Sequence, residues 1–267
     1  MIELYDGELR ENSRRSSKGN QLKFERDGVW YKADYLGYEG LAEYTVSKLL
    51  RYSTLKEDEY VDYSLEQISY NGNTYNACKS RDFSDGWTLI TLERLFKSTY
   101  GTGLNHIIYG IEDHTERLRI LTEQVERLTG LRDFGQFMCK LLTVDSFFLN
   151  EDRHTHNIAV LTNERKEFRL APIFDNGAAL LADTALDYPL NQNTIELMKR
   201  ARPKTFCDDF AEQIMIAEQL YGRQIRFRFT RKEVVEILDE AQIYEKSVRD
   251  RVTEIVMQMR RKYSYLF

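Results

Sequence analysis

The chain has 267 residues, 42% hydrophobic and 30% charged, with a formal net charge of −5. That length and composition bury a substantial core, excluding a disordered chain, and the acidic balance argues against a surface built to coat nucleic acid. The N-terminus MIELYDGELRENS carries no apolar leader and no run is long enough for a membrane-spanning helix, so a soluble, cytoplasmic protein is expected.

The first part of the chain reads as strands with one helix. Residues 20–26 and 29–34 are strand candidates around Asp27-Gly28, a strong hairpin signal. Residues 39–51 switch to helical spacing, with Leu41, Val46, Leu49 and Leu50 able to share a face. Residues 60–79 return to strand composition, with a turn at Asn71-Gly72-Asn73. Beyond Gly86 the pattern is mostly helical. Helices are expected over 88–99, 113–129 and 132–148, with Asp113 as N-cap and Gly130 as the stop of the second. Residues 157–162 and 167–174 read as a short hairpin, and helices follow near 192–200, 207–221, 230–240 and 243–262. Thr230 and Glu233 have capping-box spacing. The expected architecture is α+β and bilobal: a small β-rich lobe over 1–83 and a larger helical lobe over 84–267. Cys78, Cys139 and Cys207 match no zinc or redox spacing and are expected to be buried reduced thiols.

The chemistry concentrates in residues 150–177. Asp152 and Asn157 stand five positions apart in N-E-D-R-H-T-H-N, after an apolar helix and before an apolar strand, so polar groups sit in a loop between two buried anchors. The next strand ends at Phe174-Asp175-Asn176-Gly177, where a hairpin would bring Asp175 beside the loop. Phosphoryl transfer needs a carboxylate for the attacking hydroxyl, hard oxygen ligands for magnesium and a cation on the nucleotide phosphates. An isolated D-x-x-x-x-N carries little weight; helix, D-R-H-x-x-N, hairpin and D-N-G together carry much more. Arg153 and His154 are expected to shape the loop by hydrogen bonds, and a transition-metal role for His154 and His156 is rejected.

These segments resemble the HipA-like kinases, including the small CtkA-like bacterial serine/threonine kinases; phosphoinositide kinases share a related D-R-H-x-x-N arrangement. The strand lysine in VWYKAD and the helix EGLAEYTVSKLL extend the resemblance more loosely to the N-terminal half. It implies an ATP- and Mg2+-dependent kinase with Asp152 as catalytic base and Asn157 and Asp175 as metal ligands. Lys32 would contact the α- and β-phosphates, partnered by Glu43 or Glu39, one helical turn apart, and the site would be an interlobe cleft. Residues 13–20 (SRRSSKGN) correspond to a loop over the phosphates, with Lys18 and Gly19 as phosphate contacts and Ser16 or Ser17 as sites of autophosphorylation. The implied acceptor is a protein. A phosphoinositide or small-molecule kinase, and a pseudokinase that binds nucleotide as an interaction module, stay open as alternatives. Neither nucleic acid nor a membrane is indicated as a partner.

Overall fold

The computed structural model describes residues 1–10 and 21–267, with Asn105 by its backbone alone. The strands are β1 (Ile2–Glu3), β2 (Lys23–Arg26), β3 (Val29–Ala33), β4 (Ser64–Tyr70), β5 (Asn73–Arg81), β6 (Thr88–Thr91), β7 (Ala159–Thr162) and β8 (Phe168–Leu170). The helices are α1 (Glu39–Leu50), α2 (Leu92–Tyr100), α3 (Leu104–Ile108), α4 (His114–Thr129), α5 (Phe134–Phe148), α6 (Thr194–Met198), α7 (Phe210–Tyr221), α8 (Arg231–Asp239) and α9 (Lys246–Lys262). The fold is α+β, as the patterning predicts.

Two units divide the chain. One comprises Met1–Phe83, Asp175–Ala201 and Phe227–Phe267; the other comprises Ser84–Phe174 and Arg202–Arg226. The first boundary falls where the composition changes, but the segments 175–201 and 227–267 group with the N-terminal sheet, not with residues 84–174. Side-chain bonds explain the grouping. Tyr44 Oη donates to Glu240 Oε2 at 3.0 Å, Asn76 Nδ2 to the Ile243 carbonyl at 3.1 Å, and Tyr244 Oη to Asp34 Oδ2 at 2.8 Å. Such pairings join residues about 170–210 positions apart, beyond the reach of local sequence patterns.

In the first unit the sheet order is β1-β4-β5-β3-β2, antiparallel except for the parallel β1–β4 pair. Asp27-Gly28 and Asn71-Gly72 close its hairpins, with φ of 52°, 72°, 50° and 76°. Positive φ at both central residues is what a type I′ turn requires, and its twist matches that of the flanking strands. One face buries Leu4, Phe24, Tyr31, Ala33, Ile68 and Ala77 together. Strand alternation sends Tyr31 and Ala33 into that core and Lys32 to the opposite face, where α1 packs. Helix α1 is buried nearly all round, Glu43 included.

In the second unit β6, β7 and β8 form a three-stranded antiparallel sheet. Helix α5 is its buried centre, and Gln213 Nε2 of α7 donates to Ser146 Oγ of α5 at 3.1 Å. Asp113 caps α4 by accepting from the Glu116 N–H, and Gly130 ends it in the left-handed region at φ 76°. One expected element changes: residues 88–91 are strand, not the start of a helix. Thr88-Leu-Ile-Thr pairs with β7, and Thr91 then caps α2 by accepting from the Arg94 N–H at 3.3 Å. A non-local strand partner overrode the helical spacing that continues from Leu92. No described helix is long and apolar enough to cross a membrane.

Candidate active site

In the first unit three side chains converge. Lys32 Nζ donates to Glu43 Oε1 at 2.6 Å and to Asp175 Oδ1 at 2.8 Å, and lies 5.3 Å from the Tyr63 ring centroid. Glu43 is fully buried, and its second oxygen accepts from the Asn176 N–H at 2.7 Å. One carboxylate therefore fixes both the lysine and the backbone just beyond Asp175. Burial alone would push the Lys32 ammonium down, but the Asp175 and Glu43 carboxylates outweigh it and hold the pKa well above that of ordinary lysine. Asp175 has φ 62°, a left-handed conformation that aspartate tolerates better than most residues.

Glu39 is not the partner of Lys32. Its carboxylate accepts from the backbone N–H groups of Tyr35, Leu36 and Gly37 at 3.1, 2.7 and 3.1 Å, closing the turn before α1. Asp34 Oδ1 accepts from the Gly40 N–H at 2.6 Å. Asp34 thus serves an orphan donor of the first turn, and Glu39 serves the turn that leads into it.

In the second unit the loop after α5 is built on a buried ion pair. Leu149 ends α5 at φ 58°, and Asp145, fully buried on its last turn, meets Arg153. Arg153 Nε lies 3.2 and 3.0 Å from the two Asp145 oxygens, and Nη2 lies 3.0 Å from Oδ1. Nη1 reaches the carbonyls of Asn157 at 3.0 Å and of Phe174 at 2.7 Å. Burial pushes the Asp145 carboxyl up, and Arg153 and Asn150 oppose that shift. The guanidinium thus ties together the helix end, the far end of the D-R-H-T-H-N loop and the residue preceding Asp175. Asp145 was not singled out from sequence; the one carboxylate of a mostly apolar helix was the available signal.

The loop closes on itself by short-range bonds. Asn157 Nδ2 donates to the Asp152 carbonyl at 2.9 Å, which turns the amide nitrogen into the loop. The Asp152 N–H donates to Asn150 Oδ1 at 3.2 Å, and the His154 N–H to the Asp152 carbonyl at 3.0 Å. The Asp152 carboxylate faces Lys204, whose Nζ is 3.3 Å from Oδ1, and the His154 ring, whose Nε2 is 3.7 Å from Oδ2. Lys204 lies in the segment 178–206, whose cations read in sequence either as a favourable helix end or as a hold for an acidic or phosphorylated substrate.

No family model matches the chain, and no curated protein matches it. Among solved structures, the proinflammatory kinase CtkA of Helicobacter pylori matches over 99% of this chain and 96% of its own, with a TM-score of 0.59 and 16% identity. The chain has a CtkA-like kinase fold. HipA of Shewanella oneidensis MR-1, from a toxin–antitoxin complex with HipB and operator DNA, matches at a TM-score of 0.45 and 10% identity, over 95% of this chain and 62% of that one. The expected resemblance to CtkA-like kinases is met at the level of fold. What individual residues of the CtkA-like fold do here rests on their own geometry.

The donor types in each unit are those a magnesium nucleotide takes. Asp175 and Asn157 offer hard oxygen donors, the kind magnesium takes, and Lys32 is a fixed cation suited to phosphate oxygens. Lys18, Gly19, Ser16 and Ser17 lie outside the described residues.

Proposed function

We propose that the chain is an ATP- and magnesium-dependent protein serine/threonine kinase acting in the cytoplasm. The observation that carries this reading is the buried Lys32 ammonium shared by Glu43 and Asp175. A salt bridge in which one lysine has two acidic partners does little for stability that an apolar cluster would not do as well. It makes chemical sense as a preorganised site: Glu43 orients the amine, the amine would meet the α- and β-phosphates, and Asp175 would offer a ligand oxygen to magnesium. Magnesium-ATP, when bound, supplies the phosphoryl group and neutralises charge developing on it. As the resemblance implies, the Asn157 amide oxygen would be a further ligand.

Asp152 receives the proton of the acceptor hydroxyl as its oxygen attacks phosphorus, and the bond to the β-phosphate oxygen breaks. Lys204 beside Asp152 supports this assignment, because a cation there offsets negative charge when an acceptor approaches. The acceptor class follows the resemblance to the serine/threonine kinases of the HipA- and CtkA-like group. Ser16 or Ser17 is an acceptor within the chain itself, and finding no phosphate at residues 13–17 by mass spectrometry after incubation with ATP would remove that part of the reading.

The test is incubation with γ-labelled ATP and magnesium, with a protein mixture and a lipid mixture in parallel. Label on serine or threonine is expected. Label in lipid alone would overturn the acceptor class, and no transfer to either mixture would overturn the kinase reading.

A further inference from the structure

A second cluster of metal-ligating side chains lies in the second unit, on residues the phosphotransfer reading does not use. His114 is the first residue of α4, Glu212 is in the first turn of α7, and Cys207 lies in the segment leading into α7. Cys207 Sγ is 3.4 Å from His114 Nδ1, and His114 Nδ1 is 3.1 Å from Glu212 Oε1. One ligand atom from each residue lies within 4.8 Å of the other two.

These spacings are close to those of a tetrahedral centre. With zinc bonds of roughly 2.3 Å to sulfur and 2.0–2.2 Å to nitrogen or oxygen, neighbouring ligand atoms sit roughly 3.4–3.6 Å apart. The Cys207–His114 and His114–Glu212 pairs are each within a few tenths of an ångström of those spacings. The donor set selects the metal: a thiolate, an imidazole and a carboxylate suit zinc, whereas magnesium and calcium take oxygen. Access is also provided, since Cys207 is buried but the Glu212 side chain is 43% exposed. The caps Asp113 and Asp209 add negative charge at the two helix starts, whose dipoles would otherwise oppose a cation.

We propose that His114, Cys207 and Glu212 bind one zinc ion, with water in the fourth position, and that the ion anchors the segment that presents Lys204 to Asp152. The segment is short and already tethered. The Arg202 N–H donates to Glu151 Oε1 at 2.9 Å, Arg117 Nη1 donates to the Thr205 carbonyl at 3.2 Å, and Lys204 Nζ meets Asp152 Oδ1 at 3.3 Å. Fixing Cys207 three residues later adds an anchor on the far side of Lys204. Binding requires the thiolate, so the Cys207 proton leaves to solvent while His114 binds through Nδ1 with its proton on Nε2. Burial, with the Glu212 carboxylate beside it, pushes the Cys207 thiol up to about 12. Zinc must displace that proton, so apparent affinity rises by up to about tenfold per pH unit across the neutral range.

Zinc titration of the whole chain against a chromophoric chelator, with cobalt(II) as a spectroscopic substitute, reads the site directly and independently of any kinase activity. One zinc per chain is expected, together with a thiolate-to-cobalt charge-transfer band. Cys207→Ser and His114→Ala should each weaken binding by at least about 100-fold, beyond what loss of an outer-shell partner costs. Glu212→Gln is exposed and nearly isosteric, so it keeps the fold and should weaken binding too, while Cys139→Ser should leave affinity unchanged. Absence of zinc binding at micromolar concentrations, a cobalt complex without the charge-transfer band, or wild-type affinity in Glu212→Gln and folded Cys207→Ser would each overturn the proposal.

Discussion

Replacing Arg153 with methionine would remove the central tie of the loop that carries Asp152. The side chains of Arg153 and Asp145 are 4% and 0% exposed, so the ion pair is shielded from water. Arg153→Met deletes the bonds to both Asp145 oxygens and to the carbonyls of Asn157 and Phe174, and leaves a buried carboxylate with the Asn150 amide. Breaking a buried pair by removing one partner costs about 3–5 kcal/mol. At about 2–4 °C per kcal/mol for a chain of this size, a loss of ~4 kcal/mol lowers Tm by about 8–16 °C. Urea unfolding at neutral pH measures the free energy, and calorimetry measures the shift. A double-mutant cycle with Asp145→Asn separates the pair from its surroundings: the double variant should be less destabilised than the sum of the singles by about 2 kcal/mol or more. Additive singles, or Arg153→Met within about 1 kcal/mol of wild type, would refute the reasoning.

The two glutamates of α1 should separate cleanly. Glu43→Gln should lower phosphotransfer at least about tenfold, while Glu39→Gln leaves it within about twofold and costs about 1 kcal/mol of stability; a reversed pattern would undo the pairing with Lys32. A Cβ at Gly37 would run into the Ala182 carbonyl, which accepts the Tyr38 N–H, so Gly37→Ala should destabilise by about 1–3 kcal/mol in urea unfolding. Burial raises the Asp34 pKa to about 8, so the native state favours the protonated carboxyl. Its stabilising contribution is complete below the unfolded pKa of about 3.9 and is lost as pH rises to about 8. Asparagine cannot titrate, so the stability of Asp34→Asn relative to wild type should rise across that range, by up to about 1.4 kcal/mol per pH unit. A pH-independent difference between the two proteins would contradict it.

Much of this was legible in the sequence because the signals are local. The Asp27-Gly28 and Asn71-Gly72 turns, the Asp113 cap, the Gly130 stop and the Thr230–Glu233 capping box all sit where short-range chemistry puts them. The expectation that Arg153 shapes the D-R-H-x-x-N loop by hydrogen bonds was readable for the same reason. What was hidden depends on distant partners. Whether Glu39 or Glu43 meets Lys32 is decided by backbone donors at 35–37 that occupy Glu39. Strand β6 exists because β7 lies about seventy residues away to pair with it. The cysteines show no metal spacing because the neighbour of Cys207 is a histidine separated from it by ninety-three positions. Asp145 reads as an oddity in an apolar helix until Arg153 is seen against it.

Phosphotransfer from magnesium-ATP by the Asp152→Asn variant, with nucleotide binding measured alongside, tests the central claim most directly. The variant should bind nucleotide as the wild type does and lose about 10²- to 10⁴-fold in transfer, the usual contribution of a general base. The companion Asp175→Asn should instead weaken magnesium-dependent nucleotide binding itself. Wild-type turnover in Asp152→Asn would contradict the assignment of Asp152 as the group that receives the acceptor's proton.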